Sequence, residues 1–307
     1  MVPDERYPIE VYMMTENRCY KAGRKIAPIV VQVHSVGCKG TDRDRWRRWN
    51  NPNIDKCPNA FLDTKGIMQT LPWDCRPWLS GKSNVGNAND FSCGFEMCEP
   101  STANDTPEAA AYLYGCALYL CTQLCIDYGI LPNNVLCHAE LHKLGVASNH
   151  ADVTHWWGKK GTSWEPYTMS RLRSDVASNL LALGLPTKAE ELPANRLPTI
   201  KKGYVGEEVR YLQRLLTENE FATSSDGMFG SGTEGALKKF QSSKHLSVDG
   251  VCGGKTWSAL ITTPTGEPTP PTDEDIESVT LPLADVLSIK ASLQTALNLI
   301  NKSIEKR

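Results

Sequence analysis

The sequence predicts an α/β domain, then a small all-helical unit, then one separate helix. Three observations carry this. Within residues 1–185, short β-branched apolar runs alternate with helical ones, as in an α/β layer. Between residues 199 and 262 a turn of the form Asp-Gly-x-x-Gly-x-x-Thr occurs twice, 23 residues apart, among helical runs. Beyond a stretch dense in Pro, Thr and acid (263–278), residues 279–307 place apolar side chains on one helical face. The expected boundaries are therefore 1–185, 199–262, a linker at 263–278 and a terminal helix at 279–307.

In the first domain, IAPIVVQV (Ile26 to Val33) is β-branched and ends at His34. CGFEMC (Cys93 to Cys98) and NNVLC (Asn133 to Cys137) have the short apolar character of buried strands. Between them a helix is well signalled. Thr106 suits the N-cap, Pro107 the first helical position, Glu108 the first turn, and Gly129 the C-terminal stop. Its middle, AAAYLYGCALYLCTQLC, is apolar on nearly every face, so it belongs in a core.

The Pro-punctuated segment LPTKAEELPANRLP separates this domain from the second unit. There DGMFGSGT starts at Asp226 and DGVCGGKT at Asp249. Each Asp-Gly pair signals a turn, and each Thr is placed to begin a helix. In the tail, Val286, Ile289, Leu293, Ala296 and Ile300 follow a 3-4-3-4 spacing. A lone stripe of this kind must be covered, either by the chain's own domains or by a second copy. The Pro-rich spacer favours pairing into a homo-oligomer.

Composition narrows the function. A net charge of −2 lacks the basic excess of a general nucleic-acid binder. Asp4, Glu5 and Glu10 interrupt the apolar run a signal peptide needs, and the Ala109 to Cys121 stretch is shorter than the ~20 residues of a membrane span. The expectation is a product made in the cytoplasm, with neither nucleic acid nor membrane as partner. Eleven cysteines, ten of them within the first 137 residues, include no Cys-x-x-Cys pair, which points to buried free thiols rather than a zinc ribbon.

Two histidines follow strand-like runs directly, His34 after IVVQV and His138 after NNVLC. Ligands at the C-terminal ends of neighbouring strands can converge on one point. Asp152, in SNHADVTHWW, offers a carboxylate, and two His with one carboxylate and an open position form a known catalytic zinc set. The spacing alone also fits histidines hydrogen-bonded in a core. HAELH (His138 to His142) has the i, i+4 spacing of a helical zinc pair but lacks the Glu directly after the first His, so His142 is a reserve ligand.

Together the runs CYKAGRKIAPIVVQVHSVG, IMQTLPWDCRPW, NDFSCGFEMCEP and LCHAELHKLGVASNHADVTHWW resemble the type-2 N-acetylmuramoyl-L-alanine amidases, above all the clostridial and phage lysin branch. The likeness covers about residues 12 to 176 and implies a mixed β-sheet with flanking helices of the kind shared with peptidoglycan-recognition proteins. It further implies zinc ligands at His34, His138 and Asp152, a general base at Glu96 and an oxyanion-stabilising group at His150. Glu99 is the alternative base. Trp78 matches a tryptophan that relatives often follow with His; here Leu79 follows, which leaves that substrate contact without its histidine. Trp156 and Trp157 are expected to be structural.

The second unit is similar to three-helix peptidoglycan-binding domains through Gln213, Asp226, Gly227, Gly230, Thr233, Gln241, Asp249, Gly250, Gly253, Thr256 and Trp257, among other positions. The resemblances imply a zinc enzyme cutting the amide bond between N-acetylmuramic acid and L-alanine, as a phage or prophage endolysin acting on the wall after release. The alternatives are a bacterial autolysin, a non-catalytic wall-binding protein on the same scaffold, and a peptidase cutting further along the stem peptide.

Overall fold

The computed structural model describes residues 4–81, 83, 85–99 and 105–262. All belong to one compact unit, Met1–Thr263. The linker expected at 263–278 and the helix expected at 279–307, with the pairing assigned to it, lie outside the described residues.

A six-stranded sheet organises the first domain. Its strands are β1 (Ile9–Val11), β2 (Val30–Lys39), β3 (Ala60–Asp63), β4 (Gly66–Gln69), β5 (Ser92–Glu99) and β6 (Val135–Cys137), in the order β1-β4-β3-β5-β2-β6. The β3–β4 pair is antiparallel and every other pairing is parallel, giving a mixed sheet. The helices of this part are α1 (Arg18–Ala22), α2 (Asp42–Trp49), α3 (Pro107–Tyr128), α4 (His138–Lys143) and α5 (Met169–Ala182).

The strand expected to stop at His34 runs on to Lys39, so His34 sits inside β2. Past Ser35 the register with β5 shifts, and Gly37 takes φ +68°, a left-handed conformation that suits a residue without Cβ. That irregularity ends the flat part of the strand just beyond His34.

α3 forms as the sequence dictates. The Thr106 side chain accepts from the Ala109 N–H, Pro107 opens the helix, and Gly129 closes it at φ +68°. At 22 residues α3 is longer than the apolar stretch taken from the sequence, and by length and composition it could cross a bilayer. Instead it is the core helix. Val31, Val33, Leu62, Phe95, Met97 and Val135 pack from one face of the sheet against its Leu113, Ala117, Leu120 and Leu124, with Leu172 and Val176 of α5 in the same cluster.

The opposite face carries two apolar clusters. One sets Phe61 and Met68 against Trp49 of α2 and Met14. The other joins Val30 and Leu136 to the helical unit, whose helices are α6 (Glu207–Glu218), α7 (Ser231–Ser243) and α8 (Gly254–Ile261). Val205, Val209, Leu212 and Phe240 therefore share one buried cluster with the sheet domain, and Ala189, Leu192 and Leu197 of the connecting segment are buried in it. Asn134, just before β6, clamps the junction. Its amide donates to the Ile29 carbonyl (3.0 Å) and Glu208 Oε2 (2.5 Å), and its Oδ1 accepts from the Glu207 N–H (2.7 Å).

The helical unit repeats one device. Gln213 Nε2 donates to Asp226 Oδ1 (2.8 Å) and the Met228 carbonyl (3.0 Å), while its Oε1 accepts from Gly227 N–H (2.8 Å). Gln241 does the same with Asp249 Oδ1, the Val251 carbonyl and Gly250 N–H (2.8, 3.0 and 2.9 Å).

Candidate metal centre and active site

Side chains alternate across a strand, so Gln32 and His34 of β2 leave the same face of the sheet. His34 stands in register with Glu96 of the parallel neighbour β5, which puts the glutamate beside it on that face. β6 pairs with the other edge of β2 and delivers His138 as the first residue of α4. Asp152 arrives from the following loop, anchored by Val153 and Trp157 in the core beneath.

The donor atoms converge closely. His34 Nδ1 lies 3.0 Å from Asp152 Oδ2, and His138 Nδ1 lies 3.1 Å from His34 Nδ1 and 3.8 Å from Asp152 Oδ2. Ligands about 2.0–2.1 Å from a tetrahedral zinc are separated by about 3.3–3.4 Å, so these edges bracket the spacing zinc requires. His138 Nε2 donates to the Ser148 carbonyl at 2.9 Å, leaving Nδ1 as the free acceptor. Two imidazole nitrogens and a carboxylate oxygen facing one another form a set that a cation satisfies.

Electrostatics agree. Burial, with the neighbouring His34 and His150, lowers His138 to about 4, so its imidazole is neutral near pH 7. Burial acts to raise the Asp152 carboxyl, but the His34 hydrogen bond and the attraction of both histidines prevail and bring it to about 2. Glu96 goes the other way. Burial, then the charge of Asp152, raises it to about 8, and its Oε2 has no hydrogen-bond partner among the described residues.

A cleft of about 470 Å³ opens over this group, with Glu96, Trp78, Leu79, His150 and His155 in its lining. The His150 ring lies 4.8 Å from that of His138. Glu99 is not in that lining; its Oε1 accepts from Ser35 Oγ (3.0 Å) and pairs with His155 Nε2 (2.9 Å), so Glu96 is the carboxyl that faces the cleft. His142 is drawn away to the Ala147 carbonyl (3.1 Å) and is not among the converging ligands. Glu140 of HAELH caps α4 by accepting from Cys137 N–H (3.0 Å) and binds Arg173. Trp157 is buried, and Trp156 packs on Trp164 with ring centroids 4.2 Å apart. All ten described cysteines are free thiols, and nine are buried.

Reading the sequence missed Gln32 and Ser148, which hold the outer nitrogens of the two histidines. The signal for Gln32 was present, as one polar residue inside the apolar run IVVQV, two positions before His34.

A mixed sheet presents two histidines, an aspartate and a buried glutamate to one cleft, a set that could hold a metal ion. Residues 23–160 match the family described as N-acetylmuramoyl-L-alanine amidase, and residues 205–260 match a peptidoglycan binding domain. Residues 23–160 thus carry a domain of that amidase family, with the binding domain C-terminal to it. It is 35% identical over 96 residues to a spore cortex-lytic enzyme of Bacillus cereus, covering 31% of this chain and 36% of that protein. It is 26% identical over 184 residues to the N-acetylmuramoyl-L-alanine amidase CwlL of Bacillus licheniformis, covering 57% and 46% respectively. The chain thus spans between about a third and a half of these relatives. Among solved structures, the Staphylococcus aureus hydrolase AmiA in complex with its ligand aligns with a TM-score of 0.47 at 19% identity, over 59% of this chain and 88% of that one.

Proposed function

We propose that this chain is a zinc-dependent N-acetylmuramoyl-L-alanine amidase that hydrolyses the bond between the lactyl group of N-acetylmuramic acid and the L-alanine of the stem peptide. The observation that carries this reading is the convergence of His34, His138 and Asp152 at zinc-ligand spacing beside a buried Glu96. When bound, zinc polarises an amide carbonyl and lowers the pKa of water to about 7.

The chain's own residues supply the remaining chemistry. Glu96, raised toward neutrality, takes a proton from the attacking water and returns it to the leaving amine. His150, exposed in the cleft, donates to the tetrahedral oxyanion, a role worth about 3–4 kcal/mol in other hydrolases. Trp78 lines the route a sugar ring takes into the cleft. The C-terminal domain holds the enzyme on peptidoglycan. The finer assignment, a phage or prophage lysin acting on the wall after release, rests on the likeness of these runs to the clostridial and phage lysin branch.

Turbidity loss of purified Gram-positive walls tests the reading with wild type, chelated protein and His138→Ala. Clearing should fail in the last two and return when zinc is added to the chelated wild type. A wild type that binds walls without clearing them would instead be a binding protein on an amidase scaffold.

A further inference from the structure

Gln32 is fully buried on the sheet face that carries His34 and Glu96, and its hydrogen bonds form a chain with one possible direction. Ser92 Oγ donates to the Ala88 carbonyl, which only accepts. With its proton committed, Ser92 Oγ accepts from Gln32 Nε2. The amide must then turn Oε1 toward the other side, where Ser80 Oγ donates to it and His34 Nε2 lies 2.9 Å away. An amide oxygen cannot donate, so the proton between Gln32 and His34 belongs to His34 Nε2. His34 Nδ1 keeps its lone pair and points it at the Asp152 and His138 donor atoms.

The β2 and β5 backbones approach closely at this point. Gly94 stands opposite Gln32 in the β2–β5 register. A Cβ at Gly94 would come within 2.6 Å of both Gln32 Cβ and the Gln32 carbonyl oxygen and 2.9 Å of Leu79 Cδ1, so glycine is needed there whichever side chain stands at 32.

We propose that Gln32 is a positioning residue for the metal centre, holding His34 as the Nε2–H tautomer so that Nδ1 is presented to the ion. His138 needs no such side chain, because the Ser148 backbone carbonyl sets its tautomer. One ligand is thus oriented by backbone and the other by a removable amide. The inference rests on the metal reading above, and its test separates the two.

The test compares the metal-free wild type with Gln32→Leu and Gln32→Glu by 15N NMR of the histidine rings, together with zinc affinity by chelator competition. The wild type should show His34 as one tautomer. Gln32→Leu should mix the tautomers and weaken zinc binding about 10- to 100-fold, the usual cost of losing a group behind a metal-bound histidine. Gln32→Glu, whose carboxylate also accepts from Nε2–H, should recover the tautomer and most of the affinity. Should Gln32→Leu fail to fold, Ser92→Ala carries the test, since it frees the amide to turn and should lower affinity in the same direction. A folded Gln32→Leu (or Ser92→Ala in its place) with wild-type tautomer and affinity overturns the proposal alone. A wild type that takes up no zinc overturns the metal reading and this proposal with it.

Discussion

The sheet domain and the helical unit both bury polar side chains, but they satisfy them in different ways. In the helical unit, Gln213 and Gln241 lock Asp-Gly turns 13 and 8 residues downstream with the same three hydrogen bonds. The glutamine and its turn are close in sequence, and the device is used twice. In the sheet domain, His34, Glu96, His138 and Asp152 come from four separate segments, and their outer partners, Gln32 and Ser148, each occur once. The first arrangement is local and satisfied throughout. The second leaves Glu96 Oε2 without a partner among the described residues and three acceptors facing one another. Unmet polar groups in a buried site cost stability and mark where binding or chemistry takes place.

The largest effect should come from the unmet group. Glu96→Gln should lower wall hydrolysis about 10²- to 10⁴-fold, the range for removing a general base. Zinc uptake should be kept, and rate assays paired with metal content check both. Loss of metal along with activity would make Glu96 part of the metal site rather than the base.

The helical unit should respond in stability instead. Gln213→Leu or Gln241→Leu leaves a buried turn amide unpaired, at a cost of about 1–3 kcal/mol each. The two penalties should be alike in thermal unfolding, because the two locks are alike. A large difference between them would mean that the repeat is geometric but not energetic.

The junction between the regions should titrate. Burial raises the Glu208 carboxyl from 4.5 to about 7 in the folded chain. The folded state then holds a proton that the unfolded state has lost, so this group's contribution is complete below pH 4.5 and is lost as pH rises to about 7. The loss is roughly 3 kcal/mol, and Glu208→Gln should remove it, gaining on wild type between about pH 5 and pH 8. Thermal midpoints across that range check the sign. The smallest effect should be at α3, where Thr106→Ala removes the N-cap for about 1 kcal/mol.

The same contrast explains what could be read from the sequence. α3 was legible because Thr106, Pro107 and Gly129 act on their own neighbours, and the helical unit because its turn recurs. The ligand set was legible only as a family pattern, since two histidines after strand-like runs also fit a core. β1, β3 and β4, at three or four residues each, are too short to show a period. α2 is mostly charged, and its buried Trp49 finds its partner Phe61 across a loop. The shared cluster joining Val30 and Leu136 to Val209 and Phe240 was not legible, because residues on both sides look like the core of their own domain. Strand alternation along β5 separates the two candidate carboxylates, with Glu96 lining the cleft and Glu99 bound to Ser35 and His155.

The most direct test of the amidase assignment is the identity of new amino termini released from purified peptidoglycan by the full chain, with zinc and after chelation. The account predicts N-terminal L-alanine that appears with zinc and disappears without it. Termini from further along the stem peptide, or release indifferent to chelation, would contradict it.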